Sequence, residues 1–123
     1  MVSEPKKILV VDDDHVITTL LDGILTAQGY QVHVAFDGLD AMVQVRKILP
    51  DLIILDVMMP ELNGFDVCSN LKFNEKLKNI PIIILTSREQ ELDPRIGQLM
   101  GIGYMHKPID TKILLEKVQD VIK

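Results

Sequence analysis

Three consecutive aspartates, Asp12-Asp13-Asp14, follow the aliphatic run Ile8–Val11, and a fourth, Asp56, follows a second such run, Leu52–Leu55. Two hydroxyls, Thr86-Ser87, follow Ile82–Leu85, and Lys107-Pro108 closes a short segment beginning near Tyr104. Taken singly, each is an ordinary solvated loop group, and Asp14 reads simply as a helix N-cap. Brought to one place, they describe something else. Like charges on neighbouring chain segments repel, and a fold tolerates them where a cation relieves the repulsion. Carboxylates with carbonyl and water oxygens make a hard-cation site, and Mg²⁺ in particular takes few protein ligands and keeps several waters. The donor set expected here is Asp13, Asp56 and the backbone carbonyl of Met58, with Asp12 acting partly through water.

The elements around these residues decide whether they meet. Short aliphatic runs alternate with segments of helical spacing five times along the chain. Strands are expected at Lys7–Val11, Gln31–Ala35, Leu52–Leu55, Ile82–Leu85 and around Tyr104 to Lys107. The first helix should follow Asp14, with Ile17, Leu20, Leu21, Ile24 and Leu25 inward, and Gly29 should close it. The second follows Asp37-Gly38, with Leu39, Met42, Val45 and Ile48 on one stripe, and Pro50 ends that segment. The third starts after Asn63, with Phe65, Cys68 and Leu71 inward. The fourth starts at Asp93-Pro94 and ends at Gly101. The fifth follows Asp110, with Ile113, Leu114, Val118, Val121 and Ile122 inward.

Strict βα alternation implies a parallel sheet with helices on both faces. The first, third and fourth strands are unbroken aliphatic runs, as strands buried on both sides should be. The second alternates, which suits an edge. A flavodoxin-like (βα)5 fold fits this pattern, and its order 2-1-3-4-5, which puts the second strand at an edge, is the one implied by a resemblance to a known family. In such sheets ligands sit beyond the carboxyl ends of the strands, at the switch point between the first and third. Asp12, Asp13, Asp56, Thr86 and Lys107 all fall on that rim.

Composition narrows the function class. The 123 residues suffice for a single domain, 1–123, with its core at about 6–122. Net charge is −5, and no basic tract of five or more residues exists, so nucleic-acid binding by this chain is not expected. The longest pure aliphatic runs are four residues, against roughly 20 for a membrane span, so no membrane association is expected. The single cysteine, Cys68, cannot form an internal disulfide, which fits a cytoplasmic protein. His15 and His33 lack a second ligand at metal spacing.

The motifs together resemble those of the response regulator receiver family, the CheY-like switches of two-component signalling. Val10-Val11-Asp12-Asp13 is similar to its acidic pair, and Leu55-Asp56-Val57-Met58-Met59-Pro60-Glu61-Leu62-Asn63-Gly64 to its phosphorylation loop. Leu85-Thr86-Ser87 resembles its hydroxyl after the fourth strand, and Tyr104-Met105-His106-Lys107-Pro108 its fifth-strand signature. The resemblance implies a phosphorelay mechanism in which Asp56 accepts a phosphoryl group from a sensor histidine kinase or phosphotransfer protein. Mg²⁺ and Lys107 would neutralise charge on the transferring group. Thr86 would then bond a phosphoryl oxygen and Tyr104 turn into the space it leaves. The surface of the fourth predicted helix, fifth strand and fifth helix would switch.

Met58 and Arg88 take the positions that tune phosphoryl loss in this family, and slow self-dephosphorylation is expected from them. The first helix would dock the kinase through Thr18, Thr19 and Asp22. The output partner or effector domain is unspecified, and a phosphorylation-dependent homodimer is compatible with the resemblance. The turn Gly101-Ile102-Gly103-Tyr104 is one residue shorter than the family's usual pattern. The chain is expected to be a switch with self-phosphorylating and self-dephosphorylating chemistry only, and not an enzyme. The alternative is a haloacid-dehalogenase-type phosphatase using Asp12, since Asp12-Asp13-Asp14-His15-Val16 fits its nucleophile motif. That reading lacks a later acidic pair and leaves Asp56 unexplained.

Overall fold

The computed structural model of the chain describes residues 4–56, 64–86, 103–106 and 108–122. Within them, β1 (Lys7–Val11), β2 (Gln31–Ala35), β3 (Leu52–Asp56), β4 (Ile82–Thr86) and β5 (Gly103–His106) form one sheet of order β2-β1-β3-β4-β5. Every pairing is parallel, with Val11 opposite both Ala35 and Leu55, and Asp56 opposite Leu85. The helices are α1 (His15–Ala27), α2 (Gly38–Ile48), α3 (Gly64–Lys72) and a C-terminal helix (Thr111–Val121). The predicted helix from Asp93 lies outside the described residues.

Two hydrophobic clusters flank the sheet because successive strand side chains point to opposite faces. Leu9, Val11, Ile53, Leu55, Ile82 and Ile84 pack against Ala41 and Val45 of α2 and Val67, Cys68 and Leu71 of α3. Ile8, Val10, Leu52, Ile54, Ile83 and Leu85 pack against Leu21 and Leu25 of α1 and Leu114 and Val118 of the C-terminal helix. Each large aliphatic buried this way contributes about 1.5–3 kcal/mol. β3 lies at the centre, and all five of its residues are buried. β2 is the edge, with Gln31 exposed and Val32 to Val34 half-buried.

The helix ends follow local chemistry. The carboxylates of Asp14, Asp37 and Asp110 each accept a backbone N–H of the first turn, from Val16, Asp40 and Ile113. Gly29 takes a positive φ of 93° just beyond α1, as its predicted closing role requires. α2 ends differently. Its C-cap is Leu49 with φ 53°, the only non-glycine in the left-handed region among the described residues, and Pro50 follows. That conformation costs a leucine about 1–2 kcal/mol.

Several helix faces differ from those the spacing predicts. Leu20, Leu39, Ile113 and Val121, expected inward, are exposed. On α1 the buried position between Ile17 and Leu21 is Thr18, and on α2 the inward residues are Gly38, Ala41 and Val45. On α2 the inward stripe includes two small residues, whereas α1 and the C-terminal helix bury Leu21, Leu25, Leu114 and Val118. Thr18 therefore cannot serve as an exposed docking contact: it is buried, and its hydroxyl donates to the His15 carbonyl at 3.1 Å.

Candidate functional site: an acidic cluster at the carboxyl ends of β1 and β3

The parallel β1–β3 pairing places two strand ends side by side, and both lead into acid. Asp56 is the last residue of β3, and Asp12 directly follows β1. Both are buried, at 4% and 0% exposure, whereas Asp13 faces solvent. One carboxylate oxygen from each of the three lies within 4.8 Å of the others. At that spacing, with an effective dielectric near 20, the buried Asp12–Asp56 pair repels by about 3–4 kcal/mol, and water screens the two pairs that include exposed Asp13.

The chain fixes this cluster through its backbone. The Asp12 N–H donates to the Ala35 carbonyl at 3.1 Å, extending the β1–β2 ladder by one bond. One Asp12 carboxylate oxygen accepts the Asp14 N–H at 2.9 Å, which turns the chain sharply and leads Asp14 to cap α1. Next to this turn, the rings of His15 and Phe36 stack with centroids 4.0 Å apart and planes 8° apart. The stack ties the β1–α1 turn to the end of β2. It follows from register: Val11 pairs with Ala35, so the residues just beyond both strands come together. The two residues are 21 positions apart, so no local sequence signal marks this contact.

Of the residues singled out from sequence, Asp12, Asp13 and Asp56 are brought together. Thr86 ends β4, one position beyond the Leu85 that pairs with Asp56, and stands opposite His106. Tyr104 pairs with Ile84 on the neighbouring strand. Lys107, Met58 and Arg88 lie outside the described residues, as do the side chains of Thr86 and Tyr104.

An oxygen-only donor set with two buried carboxylates and one exposed suits a hard divalent cation rather than a thiophilic or imidazole-bound one. The exposed position of Asp13 leaves one side of the cluster open to water.

Comparison with known proteins agrees with this geometry. A family model for the response regulator receiver domain matches residues 8–119, and the chain belongs to that family. It is 41% identical over 119 residues to the alkaline phosphatase synthesis transcriptional regulatory protein PhoP of Bacillus subtilis, a match covering 96% of this chain and 49% of that protein. It is 38% identical over 122 residues to the response regulator PleD of Caulobacter vibrioides, covering 95% of this chain and 26% of that one. The chain thus spans half or less of the length of these two relatives.

Among solved structures, Vibrio cholerae chemotaxis protein CheY4 superposes with a TM-score of 0.86 at 32% identity, covering 95% of this chain and 98% of that one. The receiver domain of a signal transduction histidine kinase from Syntrophus aciditrophicus gives 0.83 at 33% identity, covering 95% and 89%. The family match leaves the haloacid-dehalogenase alternative without support. No helix among the described residues is long and apolar enough to cross a membrane.

Proposed function

We propose that Asp56 is the phosphoryl acceptor of this receiver, with Asp12, Asp13, Asp56 and the Met58 carbonyl holding Mg²⁺. The observation that carries this reading is the carboxylate cluster within 4.8 Å at the ends of β1 and β3. When bound, the ion would supply positive charge against the oxygens of the transferring phosphoryl group. A carboxylate oxygen of Asp56 attacks phosphorus, the bond to the donor's imidazole nitrogen breaks, and an acyl phosphate forms. β3 keeps that carboxylate at a fixed position, and Asp12 is held beside it by the Asp14 N–H. Lys107 neutralises charge on the acyl phosphate. The Thr86 hydroxyl takes one of its oxygens, Tyr104 follows, and the surface that includes β5 and the C-terminal helix changes.

Donors are a cytoplasmic sensor kinase or a phosphotransfer protein. The output partner is a separate protein or a further domain, and phosphorylation-dependent pairing of two copies is one form the output can take. Incubation with acetyl phosphate and Mg²⁺, followed by intact-mass measurement, tests the assignment. One added phosphoryl group, absent in Asp56→Asn and absent with EDTA, is the expected result. Undiminished labelling of Asp56→Asn would overturn it. Met58 and Arg88 set a slow loss of the phosphoryl group, and a lifetime of only a few seconds would remove that role from them.

A further inference from the structure

A second concavity lies at the other end of the sheet. Arg46 and Leu49, at the end of α2, and Asn74, Lys76 and Leu77, in the α3–β4 connection, line a cleft of about 320 Å³. Its polar groups are of one kind. Arg46 and Lys76 are cations, and among the described residues neither makes an ion pair; the ion pair found nearby joins Lys78 to Glu75 at 2.9 Å. The Asn74 side-chain oxygen accepts the Lys76 N–H at 2.9 Å, which leaves its amide NH₂ as the group to offer a ligand. The lining therefore presents donors and positive charge, with no acidic side chain.

The apolar part is equally specific. Leu77 is buried and forms the floor, while Leu49 is 57% exposed at the rim. Phe73, one residue before Asn74, is 88% exposed. Leu49 also holds the left-handed backbone conformation in which glycine is the usual residue. An exposed leucine kept where glycine would be less strained points to a use for its side chain, since such strain collects at ligand clamps. Arg46 in the last turn of α2 also complements the helix dipole, which accounts for that charge alone. The dipole does not account for Lys76, for the strained and exposed Leu49, or for the exposed Phe73.

We propose that this cleft docks an acidic peptide segment of a partner protein, with an apolar side chain set between its carboxylates. The apolar side chain lies between Leu49 and Leu77, and the flanking carboxylates meet Arg46, Lys76 and the Asn74 amide. Charge complementarity selects this occupant: the chain carries −5 overall, yet its cleft is cationic. The site is remote from the Asp12, Asp13 and Asp56 cluster, so a partner held here leaves the phosphoryl donor's approach open. The inference does not depend on which residue accepts phosphate.

The test is NMR titration of the full chain with a pool of hexapeptides, each holding two or three Asp or Glu around one Leu or Phe. Amide shifts confined to Leu49, Asn74, Lys76 and Leu77 are expected, with affinity unchanged in Asp56→Asn. The double variant Arg46→Glu, Lys76→Glu should bind about ten-fold more weakly or worse. Leu49→Gly separates binding from folding: it should raise the melting temperature by about 3–6 °C while weakening the peptide. The proposal fails if the cleft amides do not move. It fails equally if a pool with Lys in place of Asp and Glu moves them as much, if inorganic phosphate alone gives the same shifts, or if charge reversal leaves affinity intact. Concentration-dependent self-association through the same amides would put a second copy of the chain in the cleft and also overturn it.

Discussion

The two ends of the sheet treat charge in opposite ways. At the carboxyl end, three carboxylates are crowded together, two of them buried. At the amino end, two lysines hold the chain through its backbone carbonyls. The Lys7 ammonium donates to the Ile48 carbonyl at 3.2 Å, and its N–H donates to Asp51 at 2.8 Å. The Lys72 ammonium bridges the carbonyls of Lys78 at 2.9 Å and Ile80 at 3.2 Å. Helix direction in a parallel sheet favours this polarity, because first turns lie at the acidic end and last turns at the basic end. Asp40 and Asp66 stand in the first turns of α2 and α3, and Arg46, Lys47 and Lys72 in their last. What separates the ends is sign: carboxylates crowd one end, while cations, some bonded to carbonyls and some lining the cleft, collect at the other.

The contrast can be broken at its foundation. Leu55→Ala, in the strand that presents Asp56, should cost about 2–5 kcal/mol in urea unfolding, because a central cavity cannot collapse between two packed faces. A loss below 1 kcal/mol would mean the acidic end is not anchored by the core. Lys72→Met should cost about 2 kcal/mol, since two carbonyls lose a charged donor. An unchanged midpoint would show that these two bonds do not hold the α3–β4 connection.

A third expectation uses pH. Burial pushes the Cys68 thiol up to about 12, against a lowering effect of the nearby Lys72 charge. The unfolded chain then gives up the thiol proton near pH 9 while the folded chain keeps it. The folded state binds more protons, so stability falls as pH rises from 9 toward 12, by at most about 1.4 kcal/mol per pH unit. Lys72, whose ammonium is lowered chiefly by its partial burial, works the other way. The unfolded chain holds that proton up to about 10.5, so the loss should be clearest just above pH 9. Cys68→Ala should flatten the slope there, read from urea midpoints at pH 8, 9 and 10; an identical slope in the variant would contradict the burial argument.

The smallest effect should be the most informative. Asp13→Asn removes one of three crowded charges, and in EDTA it should stabilise the chain by about 1 kcal/mol, reduced from the pairwise figure because Asp13 is solvent-exposed. With Mg²⁺ the order should reverse, because the unsubstituted chain gains stability from the ion and the variant does not. Thermal melts with and without Mg²⁺ give both numbers, and a variant destabilised in EDTA would deny that repulsion is stored there.

Much of this was legible in the residues. Unbroken aliphatic runs marked β1, β3 and β4 as strands buried on both faces, and the acids following β1 and β3 marked residues that come together. Helix orientation was read less well. Leu20, Leu39, Ile113 and Val121 are apolar but exposed, while Thr18, Gly38 and Ala41 are buried. Hydrophobicity records what a side chain prefers, whereas the inward position is set by how the helix is rotated against the sheet, so that Leu114 and Val118 are buried beside exposed Ile113 and Val121. The His15–Phe36 stack depends on strand register, and the Arg46–Lys76 cleft on where two distant turns meet. Neither quantity is local in sequence.

Asp56 terminates a strand that is hydrogen-bonded on both sides and sealed above and below. Such a residue behaves as an anvil. Extra charge placed there would find little recoil in its own backbone, which two neighbouring strands hold. If Asp56 takes the phosphoryl group as proposed, the response would be delivered outward from the centre of the sheet.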